Sequence, residues 1–396
     1  MNILFLSGWY PYPPDNGSKL RIYNLIRGLA QRHEVTLISF ASRLPDATPR
    51  ELAAVCSTVH VVPQREYHPT SARALFGFFS PKPRVVVDIY QPEMAERIRE
   101  AIARNRFDLI VASQWETAAY YQAFADTPAI FEEVELGVFD SKRAQAPTPL
   151  HRLRHELPLL KLRAYLARML QRFGACTVVS ESERQLLQRV VPRYPSVRVI
   201  PNGIDLRDYA DVRCPPVPNT LIFTGAFRYF ANHDAMQWFL SEAYPRIQAN
   251  IPEVSLTITG DHADKPLPAA RNVTLTGFVD DVRPHVASAW ASVAPIRVGG
   301  GTRLKILEAM ALRTPVVATS KGAEGLGARH DEHLLFADTG PDFADAVIRL
   351  LKDPELRRRI ADGGYRLVSE KFEWSAIMPR VLSLADEVVL WAAQKR

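Results

Sequence analysis

Short β-rich runs alternate with segments of helical periodicity along nearly the whole chain, and this alternation restricts the fold more than any other feature. Runs at 3–7, 35–40, 59–62, 109–113, 129–131, 176–180 and 197–200 are interleaved with helical spacing at 20–30, 94–103 and 182–190. Parallel strands need long crossover connections, usually helices, so the pattern predicts βαβ units on a parallel sheet. It restarts at 221–224 and continues through 254–259, 273–276, 291–295 and 316–318, with helices predicted at 234–248 and 302–312. Helical stretches at 342–351, 355–363 and 374–393 follow. A chain of 396 residues exceeds what one core serves, so two doubly wound α/β domains are expected. The turn Pro201-Asn202-Gly203 and the prolines Pro215, Pro216 and Pro218 mark the linker between them. Facing each other, the carboxyl ends of the two sheets would share a cleft, where open α/β sheets bind ligands.

Composition excludes several classes. The start, MNILFLSGWYPYPP, lacks a basic region and a long apolar run, and no later segment has about 18 uninterrupted apolar residues. Cys56, Cys176 and Cys214 are far apart, with neither disulfide-framework nor zinc-ligand spacing, so a reduced, cytoplasmic, metal-free protein is expected. The net charge of +6 is concentrated in residues 151–172, where six Lys or Arg face one acid, Glu156. Leu153, Leu157 and Leu160, then Leu162, Leu166, Met169 and Phe173, follow helical spacing, and Pro158 is expected to break the segment into two helices. Such a basic amphipathic segment suits either a solvated domain face or a peripheral contact with the anionic inner face of a cell membrane. Leucines interleave the basic residues and no recognised nucleic-acid module is present, so no nucleic-acid partner is expected.

The run 295–312, P-I-R-V-G-G-G-T-R-L-K-I-L-E-A-M-A-L, points to chemistry. Three glycines lead bare backbone into a helix start, where free N–H groups favour anions and Arg303 and Lys305 add positive charge. Glu308, one turn further, can accept hydrogen bonds from ribose hydroxyls. The alternative is a glycine-rich turn before a surface helix, with Lys305 and Glu308 as an i,i+3 ion pair worth about 0.2–0.5 kcal/mol.

Two other loops share this character. The first βα connection ends in Gly17 and is followed by Lys19 and Arg21, which would hold an anionic substrate; a proline-stiffened surface loop is the alternative. No G-x-G-x-x-G occurs there, which argues against a dinucleotide-dependent dehydrogenase. The strand ending at Thr224 runs into Gly225 and Arg228, another pairing of close approach with charge, while Asn232 and Asp234 are expected as helix N-caps. Strand-end glycines at 260 and 277 would complete the wall of a nucleotide pocket.

These residues carry a resemblance to the family 4 glycosyltransferases, also called glycosyl transferase group 1. The resembling stretches are P-Y-P-P-D-N-G-S-K-L-R at 11–21, I-P-N-G-I-D at 200–205, G-A-F-R-Y-F-A-N at 225–232 and G-G-G-T-R-L-K-I-L-E-A-M-A at 299–311. The resemblance implies the GT-B arrangement of two Rossmann-like domains: 1–200 for the acceptor, 201–373 for the nucleotide sugar, and a helix at 374–396 crossing back to the first. It also implies retaining, metal-independent transfer from a nucleotide sugar, a UDP- or GDP-sugar, to a glycan or lipid-linked acceptor in polysaccharide or glycolipid synthesis, with no cofactor. On that basis the donor would be bound by Gly17, Gly225, Arg228, Gly300, Gly301, Thr302, Arg303, Lys305 and Glu308, and the acceptor by Lys19 and Arg21.

Two departures stand out. The family's E-x7-E motif places its second glutamate on Glu308 but its first on Gly300. The histidine that many members carry at a mid-domain strand end is also absent; Glu133 or Glu132 falls nearest, and Glu133 joins Arg303 and Lys305 as a catalytic candidate. A retaining front-face displacement needs no strong base, because the departing phosphate can accept the acceptor's proton. The alternatives are a nucleotide-sugar epimerase of the same architecture and a non-catalytic nucleotide-sugar-binding assembly subunit.

Overall fold

A computed structural model describes residues 1–134, 136, 149–299 and 303–394, without the side chains of 149–157 and 159. The expected residues Gly300, Gly301 and Thr302 therefore lie outside the described residues. The chain forms two compact units, one of Met1–Pro201 with Met378–Arg396 and one of Asn202–Ile377.

The first unit is built on a seven-stranded, all-parallel sheet in the order β3-β2-β1-β4-β5-β6-β7. Its strands are β1 (Asn2–Ser7), β2 (Glu34–Ala41), β3 (Thr58–Pro63), β4 (Leu109–Ser113), β5 (Ala129–Glu132), β6 (Ala175–Val178) and β7 (Val197–Val199). Every residue of β4, β5 and β6 is buried, as a sheet covered on both faces requires. The last helix, Trp374–Gln394, begins in the second unit and continues in the first from Met378. There it packs against two glycines: a Cβ on Gly28 would lie 2.4 Å from the Met378 sulfur, and one on Gly174 would lie 2.7 Å from Val388. Pro158 sits inside one helix, Pro149–Met169, instead of dividing two. Proline's fixed φ is already helical and it gives up only one backbone donor, so packing of Leu162, Leu166 and Met169 into the core carries the helix through.

The second unit has six parallel strands in the order β10-β9-β8-β11-β12-β13. They are β8 (Val217–Thr224), β9 (Ser255–Thr259), β10 (Val273–Gly277), β11 (Ala289–Ala294), β12 (Val316–Ala318) and β13 (Leu335–Phe336). β13, with two residues, is too short for its periodicity to be read in sequence. β8 begins at Val217, so the proline cluster expected as linker lies within the second unit and leads directly into its central strand. In each sheet the strand order reverses beside the first strand of the unit, between β1 and β4 and between β8 and β11. Ligands of open α/β sheets bind at that switch point, outside the strand carboxyl ends.

Candidate donor and acceptor sites

At the switch point of the second unit, β8 delivers Gly225 with φ +146°, and the segment after β11 delivers Gly299 with φ +96°. A Cβ on Gly225 would lie 2.7 Å from Asn232 Nδ2 and 2.9 Å from Lys305 Nζ; one on Gly299 would meet the Tyr229 hydroxyl at 2.2 Å. Both conformation and space therefore demand glycine at these two points.

The Leu304–Ala311 helix starts here with no side-chain cap. Lys305 donates from Nζ to Asn232 Oδ1 at 2.8 Å and lies 4.0 Å from the centre of the Phe223 ring. Asn232 in turn donates to the Ala226 carbonyl at 2.8 Å. It braces Lys305 and does not cap, because the helix begins earlier, at Phe230; Asp234 instead pairs with Arg297 at 2.8 Å. Among the described residues Lys305 and Glu308 form no ion pair, so the simple surface helix weighed from sequence does not form. Glu308 accepts from the Tyr209 hydroxyl at 3.4 Å. Protein atoms fill most of the space around both groups, although some surface of each remains accessible. Desolvation pulls the Lys305 ammonium down to about 7, helped by nearby Arg303, and pushes the Glu308 carboxyl up to about 7.

Arg303 is only 8% exposed, and its Nε and Nη2 have no hydrogen-bond partner among the described residues. A buried guanidinium lacking acceptors is costly, and buried polar groups are nearly always satisfied. An anion bound at this helix start would satisfy it. Arg228 is 78% exposed and paired with Asp261. To reach a diphosphate it must exchange that partner.

In the first unit, Gly17 opens the Gly17–Leu29 helix, whose N-cap Asn16 accepts from the Lys19 backbone N–H at 3.1 Å. The Lys19 ammonium pairs with Asp15 at 2.9 Å. Arg21 corrects the expectation of an acceptor contact. It is 1% exposed, donates from Nε to Glu132 at 2.7 Å and from Nη1 to the Pro201 carbonyl at 3.0 Å. The helix turns this position inward, so its charge is spent on Glu132, which also accepts from Ser113 at 2.7 Å. Glu132 is thereby tied to Arg21 and Ser113, while Glu133 Oε1 lies further from the same Arg21 Nε, at 3.9 Å.

Glu133 holds φ +61°, beside Gln114 with φ +69°, and accepts from Gln114 Nε2 at 3.0 Å. Left-handed backbone at two non-glycine residues joined by their side chains is strain of the kind that clusters at functional sites. Gln114 and Glu116, on the short helix Gln114–Ala118 that follows β4, gave no sequence signal. Burial raises the Glu116 carboxyl above its ordinary range, and a Cβ on Gly8, after β1, would lie 3.2 Å from its Oε2.

Among the described residues no group of three or more His, Cys, Asp or Glu could hold a metal ion. No described helix is long and apolar enough to cross a membrane.

Comparison with known proteins gives the class. Residues 16–208 match the family described as Glycosyltransferase Family 4 and residues 218–353 match Glycosyl transferases group 1. The chain belongs to the group 1, family 4 glycosyltransferases. Among curated relatives it is 28% identical over 202 residues to the phosphatidyl-myo-inositol mannosyltransferase of Mycobacterium leprae, covering 48% of this chain and 53% of that protein. It is 30% identical over 146 residues to the lipopolysaccharide core biosynthesis glycosyltransferase LpsE of Rhizobium meliloti, 34% and 43% of the two chains. The chain thus spans about half or less of the length of these relatives. Sucrose-phosphate synthase from Thermosynechococcus elongatus shares the fold, with TM-score 0.69 and 20% identity over 99% of this chain and all of the other. Anabaena HepE, solved in complex with UDP and glucose, does so with TM-score 0.66 and 16% identity over 98% of this chain and all of the other. The architecture is the GT-B α/β fold.

Proposed function

We propose that this protein is a retaining glycosyltransferase that moves a sugar from a nucleotide-sugar donor to a glycan or lipid-linked acceptor in polysaccharide or glycolipid biosynthesis. The observation that carries the reading is Arg303, a buried guanidinium with two donors that have no partner among the described residues, at a glycine-lined helix start two residues from Lys305. That arrangement suits a diphosphate: Arg303 and Lys305 neutralise its oxygens, the helix start supplies N–H groups, and Glu308 holds the ribose hydroxyls. In the transition state the same cations stabilise the charge growing on the departing nucleoside diphosphate. This is the task a divalent metal performs elsewhere, and the reading is therefore metal-independent. Gly225 and Gly299 bring backbone close to the diphosphate and sugar, and Gly17 and Lys19 lie on the acceptor unit. Glu133, held by Gln114, is the first unit's candidate for steadying positive charge on the reacting sugar, while the leaving phosphate takes the acceptor's proton. Binding of UDP by HepE supports a uridine nucleotide as donor. The working location is the cytoplasm or the inner membrane face.

The test offers UDP- and GDP-sugars together with glycan and lipid-linked acceptors and follows nucleotide release and the anomeric configuration of the product. The expected result is acceptor-dependent release with the donor's anomeric configuration kept. Isomerised donor without an acceptor would mean an epimerase, and donor binding with no turnover on any acceptor would mean an assembly subunit.

A further inference from the structure

One exposed region of the first unit is strongly apolar. Leu75, Phe76, Phe78 and Phe79 are 50%, 73%, 61% and 91% exposed. Leu160, 55% exposed, lies beside them, because Lys161 Nζ donates to the Gly77 carbonyl at 2.7 Å and to that of Phe78 at 3.3 Å. This is not a slack loop. Ser71 caps the Ala72–Phe76 helix, accepting from the Ala74 N–H at 3.0 Å, and the fully buried Asp88 accepts from the Ser71 hydroxyl and, at 2.8 Å, from the His68 N–H. Arg84 donates to the Ala74 carbonyl at 2.9 Å and lies 3.9 Å from the centre of the Phe78 ring. The fold thus holds four large apolar side chains outward, against the ordinary tendency to bury them.

The surroundings carry charge of one sign. Residues 69–90 contain Arg73, Lys82 and Arg84, and residues 158–172 contain Lys161, Arg163, Arg168 and Arg172; the one acid in both stretches is the buried Asp88. A second copy docking on this face across a two-fold axis would set like charge against like. An anionic bilayer instead meets the phenyl rings with its acyl boundary and the cations with its phosphates.

We propose that Leu75–Phe79 and Leu160 form a wedge that seats the first unit on an anionic membrane, with Lys82 and Arg163 on the lipid phosphates. This joins the contact expected at 151–172 to the 75–79 turn, and Lys161 ties the two together. It deepens the proposed function by putting the acceptor unit where a lipid-linked acceptor resides, but its test reads independently of transfer.

The full chain is floated with phosphatidylcholine vesicles, with and without phosphatidylglycerol, as wild type, Phe76→Ser/Phe79→Ser and Lys82→Ala. Wild type is expected on the anionic vesicles only, and added salt should weaken it. The double variant should lose about 100-fold in partitioning, and Lys82→Ala about fivefold. All three sites are on the surface, so circular dichroism and nucleotide affinity should be unchanged in every variant. Absence of wild-type binding at physiological salt, or binding unaltered in the double variant, overturns the proposal. So does a concentration-dependent dimer that the double variant abolishes while vesicles bind neither form. Absence of nucleotide binding by the wild type with its vesicle binding intact would count against the proposed function alone.

Discussion

Replacing Arg303 and Lys305 by alanine is expected to weaken nucleoside diphosphate binding by about 10–100-fold each, since each removes charge-assisted hydrogen bonds worth about 1.5–3 kcal/mol. Loss of turnover should be larger, about 10²–10³-fold for each, because the same groups act on charge that grows only as the glycosidic bond breaks. Folding stability provides the control. Among the described residues two donors of the buried Arg303 have no partner, so Arg303→Ala should leave thermal stability unchanged or higher. A loss of several degrees would make it a structural residue. Lys305 adds a pH signature. With its ammonium at about 7, the free protein loses that cation as pH rises past neutrality, and a bound diphosphate draws the proton back. Donor affinity should therefore fall above pH 7 with net proton uptake on binding, and Lys305→Ala should abolish the uptake.

Arg21→Leu is expected to cost the first unit about 3–5 kcal/mol, because it leaves Glu132 charged and unpaired among buried groups. Glu132 is only 4% exposed, and Arg21 holds it at 2.7 Å. The double variant Arg21→Leu/Glu132→Leu should recover most of that loss, since well-packed apolar residues often replace a buried ion pair without penalty. Chemical denaturation followed on the first unit's transition reads both effects. Stability unchanged in Arg21→Leu, with a raised KM for acceptor, would instead return Arg21 to the acceptor role that the sequence suggested.

The contrast between Arg21 and Arg303 separates local signals from pairings that cross the chain. Strand and helix periods place both sheets, because strands buried on two faces show as continuous apolar runs such as 109–113. Glycine, cation and acid at a strand-to-helix junction sit on adjacent positions of the chain, so Gly225, Gly299, Lys305 and Glu308 stand out in sequence as candidates. Pairings that cross the chain leave no such trace. Arg21 meets Glu132 over a separation of 111 residues, and Tyr209 meets Glu308 over 99. Gln114 escaped notice because nothing in sequence marks a left-handed backbone at a non-glycine residue. Pro158 misled for the opposite reason, a strong local signal overridden by core packing.

The most direct test is a calorimetric titration of wild type and Glu308→Ala with UDP, GDP and ADP. One nucleotide, UDP on the proposed reading, should bind the wild type, and Glu308→Ala should weaken it at least about tenfold through the lost ribose hydrogen bonds. Failure of all three to bind wild type, or binding undiminished in Glu308→Ala, would contradict the donor site described for the second unit.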